Sequence, residues 1–245
     1  MRISKFKGYL CIALLVQAIS SLAVAVESGV WSYNGLNGPD RWGQLDSDFE
    51  ACSEGITQSP IDLTKKNLIS NKEPISFDYK AYSLSQTRFG FKYYNRSKSM
   101  TVDGKTYDLS QFHFHMPAEH TVSGKRFPAE MHLVHHDRDG NLAVVAVLFK
   151  EGKSNKVFKE IVDTADKSDE EKYIIEAGDI TSLLPENKEY FHYMGSLTTP
   201  PCTEGVNWYV LKHKVEVSKE DLSALNKAII YNSRPIQDAA GRVAR

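Results

Sequence analysis

The chain has 245 residues, 30 basic against 31 acidic side chains, a net charge of −1 and 41% hydrophobic residues. Near-neutral charge without a basic stripe or tail argues against nucleic acid or an anionic membrane surface as partner, and points to a small molecule. Without its N-terminal leader, a chain of about 220 residues suits one large domain whose core needs no staple.

Residues 1–25 read as a secretory signal. Arg2, Lys5 and Lys7 give a basic start, Leu10 to Ile19 a short apolar run, and Ala23-Val24-Ala25 a small-x-small cleavage site. The run is too short to span a bilayer comfortably, and no second one is long enough, so no membrane span is expected after cleavage. The mature domain is then 26–245, in the periplasm or outside the cell. Of three cysteines, Cys11 leaves with the leader. Cys52 and Cys202 form an even pair in an oxidising compartment, where a disulfide is the default.

Beyond the leader, short alternating or apolar runs are punctuated by Gly, Pro, Asn and Asp. This texture reads as a mainly β single domain with a few short helices. Ser99 to Val102, Asp103-Gly104 and Thr106 to Leu109 read as a hairpin, since Asp-Gly between strand-like runs favours the tight turn. Gln111 to Met116 and Glu130 to His136 read as strands, with a turn at Asp137 to Asn141. Leu142 to Lys150 is continuously apolar, as expected of a strand central in a sheet. Ser154 is expected to cap a helix presenting Val157, Phe158, Ile161 and Val162 on one face. Val206 to Leu211 is a further strand, and Ser218 is expected to cap a second helix with Leu222, Leu225 and Ile229 inward.

The stretch Gln111-Phe-His113-Phe-His115 raises a chemical question. Side chains alternate across a strand, so both imidazoles share a face, about 6 to 7 Å apart along the chain. Alone, H-x-H is also the pattern of a His-rich polar strand face. Glu130-x-His132 changes the balance, because a neighbouring antiparallel strand would bring a third imidazole opposite the pair. Gln111 and Glu130 each lie two residues before a histidine, hence on the same face, where they can accept the second N–H of a metal-bound imidazole. Three neutral His ligands with an open fourth position form a catalytic zinc pattern. His120, His135, His136, His192 and His213 read as structural or surface residues.

These stretches together resemble the α-class carbonic anhydrases, in particular their exported bacterial branch. Trp31 to Tyr33, Asn37 to Pro39 and Trp42 resemble the family's N-terminal segment, and Gln58-Ser-Pro-Ile-Asp62 its QSPI stretch. Gln111 to His115, Glu119 to Val122 and Ala129 to His135 resemble the strands around its metal. Gly195-Ser-Leu-Thr-Thr-Pro-Pro201 resembles its signature loop, and Asn232-Ser-Arg-Pro-Ile-Gln237 its C-terminal segment. The likeness runs from about residue 31 to 242, nearly the whole mature chain.

The resemblance implies a large twisted, mostly antiparallel sheet with a few short peripheral helices, one Zn2+ per chain, and reversible hydration of CO2 to bicarbonate and a proton. It implies His113, His115 and His132 as zinc ligands. Thr198 would orient zinc-bound hydroxide, and Glu119 would accept the Thr198 hydroxyl proton. Val134, Val144, Leu197, Val206 and Trp208 would form the CO2 pocket, with Thr199 near bicarbonate. Cys52 and Cys202 stand where exported bacterial members carry their disulfide, and Ser59-Pro60 and Pro200-Pro201 where cis peptides are expected. Bacterial relatives include dimers, but no exposed apolar helix stripe argues for one here.

Two positions depart from the family pattern. Many fast members place a proton-carrying His before the metal strand, yet no His occurs between Val26 and Phe112. The corresponding stretch is Ser85 to Gly90, and its Arg88 holds its proton too tightly to substitute. Met194 stands where the family often has Pro, with little consequence expected. The alternative is a non-catalytic zinc-containing binding module of the same fold. Retention of all three His, Thr198 and Glu119 argues against it.

Overall fold

The structure, a computed structural model, describes residues 29–64, 73–79, 83–87, 90–94, 98–165, 180–229 and 231–239. The leader expected at 1–25 lies outside the described residues. The early strands are β1 (Asp62–Leu63), β2 (Ser76–Phe77), β3 (Ser83–Thr87), β4 (Gly90–Tyr94), β5 (Lys98–Val102), β6 (Lys105–His115), β7 (Thr121–Val122) and β8 (Lys125–Arg126). The later ones are β9 (Ala129–His136), β10 (Leu142–Glu151), β11 (Tyr190–Ser196), β12 (Glu204–Leu211) and β13 (Val215–Val217). Helices are short: α1 (Trp42–Leu45), α2 (Ala51–Glu54), α3 (Lys156–Ala165) and α4 (Lys219–Ala228).

The main sheet has eight strands in the order β11-β12-β10-β9-β6-β5-β2, with β13 also paired to β10. Only the β10–β12 and β10–β13 pairings in it are parallel, so the mostly antiparallel sheet expected from the sequence is present. The apolar run beginning at Leu142 is central as expected. It lies between β9 and β12, and its residues from Ala143 to Phe149 are all buried.

Asp103-Gly104 makes the expected hairpin turn, with φ of 51° and 71°, between β5 and β6. The two strands expected on either side of residue 110 are one. The β6–β9 register pairs Leu109 with His135 and Gln111 with Val134, so Ser110 is an extra residue opposite β9. This bulge reverses the alternation. Tyr107 and Leu109 before it, and Phe112 and Phe114 after it, all join one core. Gln111, His113 and His115 are thereby turned to the opposite face.

The two faces of the sheet differ in character. Phe112, Phe114, Met131, Leu133, Val145 and Val147 pack against Phe158 and Ile161 of α3 and Leu222 and Leu225 of α4. Alternation sends Val144, Ala146 and Leu148 of β10 the other way, with Val206, Trp208 and Val210 of β12, into a second apolar cluster beside the histidines. Ser218 caps α4 as expected, accepting from Asp221 N–H at 3.0 Å. The cap of α3 is Asn155, whose Oδ1 accepts from Phe158 N–H at 3.1 Å, and not Ser154. Ser154 Oγ instead donates to Asp221 Oδ2 at 3.1 Å, tying the two helices together. Serine and asparagine cap comparably well, so adjacent candidates leave a one-residue ambiguity that only the contact to α4 resolves.

His135 belongs to the helix-side face. It is fully buried, with Nε2 2.9 Å from the Tyr79 hydroxyl. Burial drives its pKa down to about 3, partly offset by backbone hydrogen bonds. It is therefore neutral when folded but takes a proton near pH 6.5 when unfolded. Its contribution is complete above pH 6.5 and is lost as pH falls from there toward 3, at up to about 1.4 kcal/mol per pH unit. Urea unfolding of His135→Phe between pH 7.5 and 4.5 should show lower stability but a flatter pH slope than the parent. An unchanged slope would refute this.

Candidate metal centre

Antiparallel pairing of β6 with β9 puts His113 directly opposite His132 and His115 opposite Glu130. The three imidazoles expected from the sequence converge. Ring centroids lie 4.9 Å apart for His113 and His115, 5.3 Å for His113 and His132, and 4.4 Å for His115 and His132. His115 and His132 are buried, while His113 keeps an open side.

The acceptors around them fix the tautomers. His113 Nδ1–H donates to Gln111 Oε1 at 2.8 Å, and His115 Nδ1–H to the Asn232 carbonyl at 2.7 Å. His132 Nε2–H donates to Glu130 Oε1 at 2.9 Å. Each ring then has one unprotonated nitrogen: Nε2 of His113, Nε2 of His115 and Nδ1 of His132. The two Nε2 atoms stand 3.0 Å apart, and one ligand atom from each of the three rings falls within a sphere of contacts no wider than 4.8 Å. No proton bridges them near neutrality, because burial lowers His115 to about 4 and depresses His132 as well. Three lone pairs facing one point repel unless a cation sits between them. The spacing also fits a single ion, since nitrogens 2.0–2.1 Å from a tetrahedral centre lie roughly 3.3 Å apart.

The acidic groups complete the arrangement. Glu130 is fully buried; its Oε1 also accepts from His120 Nδ1–H at 2.6 Å, and its Oε2 from His120 N–H at 2.8 Å. Burial would raise its pKa, but His120 and His132 together hold it well below the usual carboxylate range. His120 is thus an internal member of the network and not a surface residue. Its Nε2 meets the Tyr193 hydroxyl at 2.6 Å, which donates on to Ser59 Oγ at 2.9 Å. Glu119 is equally buried, with Oε1 accepting from Arg234 N–H at 2.8 Å. Its Oε2 has no hydrogen-bond partner among the described residues, although the Thr198 side chain acts to lower the pKa of the carboxyl. Burial pushes Glu119 up to about 7, against the opposing pull of His132, the Arg234 amide and Thr198. A cation in the site would draw it down again.

The expected pocket residues lie on the histidine face. Cross-strand register aligns Val134, Val144 and Trp208, and Val206 stands opposite Gly195. Val144, Val206 and Trp208 are buried, with half-buried Val134 and Leu197 packed on the same cluster. Trp208 stacks edge-on to His132 at 4.8 Å. Thr198 and Thr199 occupy the turn after β11, closed by hydrogen bonds from Leu197 N–H to the Thr203 carbonyl and from Cys202 N–H to the Thr199 carbonyl, each 2.9 Å. Cys202 in that turn is bonded to Cys52, with Cα atoms 5.0 Å apart. Ser59-Pro60 and Pro200-Pro201 are cis as expected, and Met116-Pro117 is a third. Met194 is exposed. Of the stretch expected in place of a proton-carrying His, Arg88 and Phe89 lie outside the described residues.

A family model for the eukaryotic-type carbonic anhydrases matches residues 37–244. The chain belongs to the α-class carbonic anhydrase family. Relatives named carbonic anhydrase include one from Klebsiella pneumoniae, 38% identical over 235 residues, covering 92% of this chain and 94% of the relative. Another, from Neisseria gonorrhoeae, is 35% identical over 239 residues, covering 94% of each. Among solved structures, the α-carbonic anhydrase of Thermovibrio ammonificans in complex with the inhibitor sulfanilamide matches at 39% identity with a TM-score of 0.80. That match covers 87% of this chain and 97% of the other.

Reading the residues alone missed three contributors to this candidate site. The Asn232 carbonyl, the Arg234 amide and His120 are drawn in from irregular segments, where no periodicity announces a role. For the first two, the only sequence signal was the likeness of the 232–237 segment to the family.

Proposed function

We propose that the protein is an exported zinc-dependent carbonic anhydrase that interconverts CO2 and bicarbonate. The observation that carries this reading is the convergence of three imidazoles, one ligand atom from each within 4.8 Å of the others, whose other nitrogens are all committed to acceptors. His113, His115 and His132 would hold one zinc ion and leave a fourth position open, as in catalytic rather than structural sites. Zinc held this way supplies hydroxide near neutral pH, the bound water having a pKa of about 7 in carbonic anhydrase, the reference case for this chemistry.

The chain's own residues do the rest. An ionised Glu119 only accepts, so the Thr198 O–H is committed toward it. The Thr198 oxygen must then accept from the nucleophile, which fixes the direction of the attacking lone pair and removes an orientational loss from the barrier. The wall of Val134, Val144, Leu197, Val206 and Trp208 suits an uncharged, apolar substrate, with Thr199 beside the product. Gln111 and Glu130 hold two rings in the required tautomer. Cys52–Cys202, a bond stable in an oxidising compartment, supports export.

The test is the initial rate of CO2 hydration by zinc-loaded protein across buffer concentrations. We expect a rate well above background that rises with the concentration of an imidazole-type buffer. With no His between Val26 and Phe112, the chain lacks the family's usual proton carrier, whose pKa near 6.5 suits the task. A background rate would defeat the functional reading; a fast rate indifferent to buffer would defeat the proton-export part alone.

A further inference from the structure

The segment 232–234 has no regular secondary structure, yet it supplies two contacts to the site. The Asn232 carbonyl fixes the His115 tautomer, and the Arg234 amide holds Glu119. Without a backbone ladder, its own side chains anchor it. Asn232 Nδ2–H donates to the Phe114 carbonyl and Asn232 Oδ1 accepts from Met116 N–H, both at 2.8 Å. Arg234 reaches the other way. Its Nη1 donates to Gln58 Oε1 and the Ser59 carbonyl, each at 2.8 Å, and Nη2 to the Cys52 carbonyl at 3.0 Å.

Arg234 is 1% exposed, and its guanidinium lies 5.6 Å over the Trp42 ring. All three of its acceptors are neutral, and its Nε has no partner among the described residues. A buried cation without a bonded carboxylate is a weak device for stability. What the planar fork does provide is a fixed geometry between three separate pieces of chain: α2 at Cys52, the turn at Gln58-Ser59, and the backbone of Arg234 itself.

We propose that the Arg234 guanidinium is a positioning residue, which sets the place of its own backbone amide and through it the orientation of Glu119 toward Thr198. The roles of Glu119 and Thr198 are those of the function proposed above. Gln58 Nε2 also donates to the Cys202 carbonyl at 3.1 Å. The clamp on Glu119 and the turn carrying Thr198 therefore share one anchor, and the two partners are located against the same reference.

A double-mutant cycle on the zinc-loaded protein tests this, with Arg234→Lys, Glu119→Gln and the pair, each assayed for CO2 hydration and thermal unfolding. Lysine keeps the charge but cannot span three acceptors with a planar fork. We expect Arg234→Lys to lower kcat/KM about 10- to 100-fold when Glu119 is present. In the Glu119→Gln background the loss should be under about threefold, with the fall in Tm the same in both. Equal losses of activity in both backgrounds would overturn the proposal.

A second readout does not depend on turnover. The Arg234 backbone amide, bonded to a buried carboxylate, should give a strongly downfield proton resonance that moves upfield in both Arg234→Lys and Glu119→Gln. An inactive parent would defeat the functional reading while this signal still decides the positioning role, and an unmoved resonance in Arg234→Lys would overturn it. Should that variant not fold, Gln58→Met removes one acceptor of Nη1 and should move the resonance less, in the same direction; no movement overturns the proposal.

Discussion

Replacing His113 by alanine is expected to bring CO2 hydration to background and to release the metal. The physical reason is the arrangement of lone pairs. His115 and His132 alone leave two neutral nitrogen ligands, fewer than a tetrahedral site retains in competition with water. His113 is the least buried of the three, so its loss opens no core cavity, and the Tm of the metal-free variant should stay near that of the metal-free parent. Gln111→Ala is the graded companion. It frees the His113 ring to turn and should weaken metal binding about 10- to 100-fold. Metal content by elemental analysis, read beside the initial rate, separates the outcomes. A His113→Ala protein with one tightly held zinc and full rate would exclude the proposed ligand set. A parent that holds zinc but hydrates no CO2 would favour the binding-module alternative.

The second large effect concerns stability. Cys52 and Cys202 are 150 residues apart in sequence. In the chain-entropy account, cross-linking so long a loop destabilises the unfolded state by up to about 5 kcal/mol. For a chain of this size that corresponds to a Tm roughly 10 to 20 °C lower in the Cys52→Ser/Cys202→Ser variant. Calorimetry of the oxidised parent and this variant measures it, and a difference below about 2 °C would show that the bond constrains the unfolded chain very little. The variant should also lose activity before it unfolds, because Cys202 closes the turn that presents Thr198 and Thr199.

How much of this was legible in the sequence follows from how each feature is encoded. Alternation encoded the two faces of β6 and β9, and with them the histidines and the acceptors Gln111 and Glu130, two residues before His113 and His132. Asp103-Gly104 encoded the hairpin, and unbroken apolarity the central place of β10. What alternation cannot encode is a break in itself. The bulge at Ser110 was invisible because serine is unremarkable in either a strand or a loop, and two strands were expected where there is one. Parallel pairing of β10 with β12 is likewise a property of the whole topology, since the same apolar residues serve either direction. The cap at Asn155 turned on a tertiary contact of its neighbour. Asn232 and Arg234 act through backbone atoms more than 110 residues distant from their partners, and a carbonyl or amide carries no mark of its residue type.

The extra residue in β6 has a consequence for how this protein can change over time. Upstream of Ser110 the odd-numbered side chains feed the oily interior; downstream the even-numbered ones do. The strand behaves like a text with one extra letter in the middle, after which the numbering shifts but the meaning does not. Exchanging Ser110 for another small polar residue would leave the frame intact. Deleting it would close the bulge and restore strict alternation, with Tyr107, Leu109, Phe112 and Phe114 still on one face and the imidazoles on the other. At this point the lineage is free to vary in length as well as in spelling.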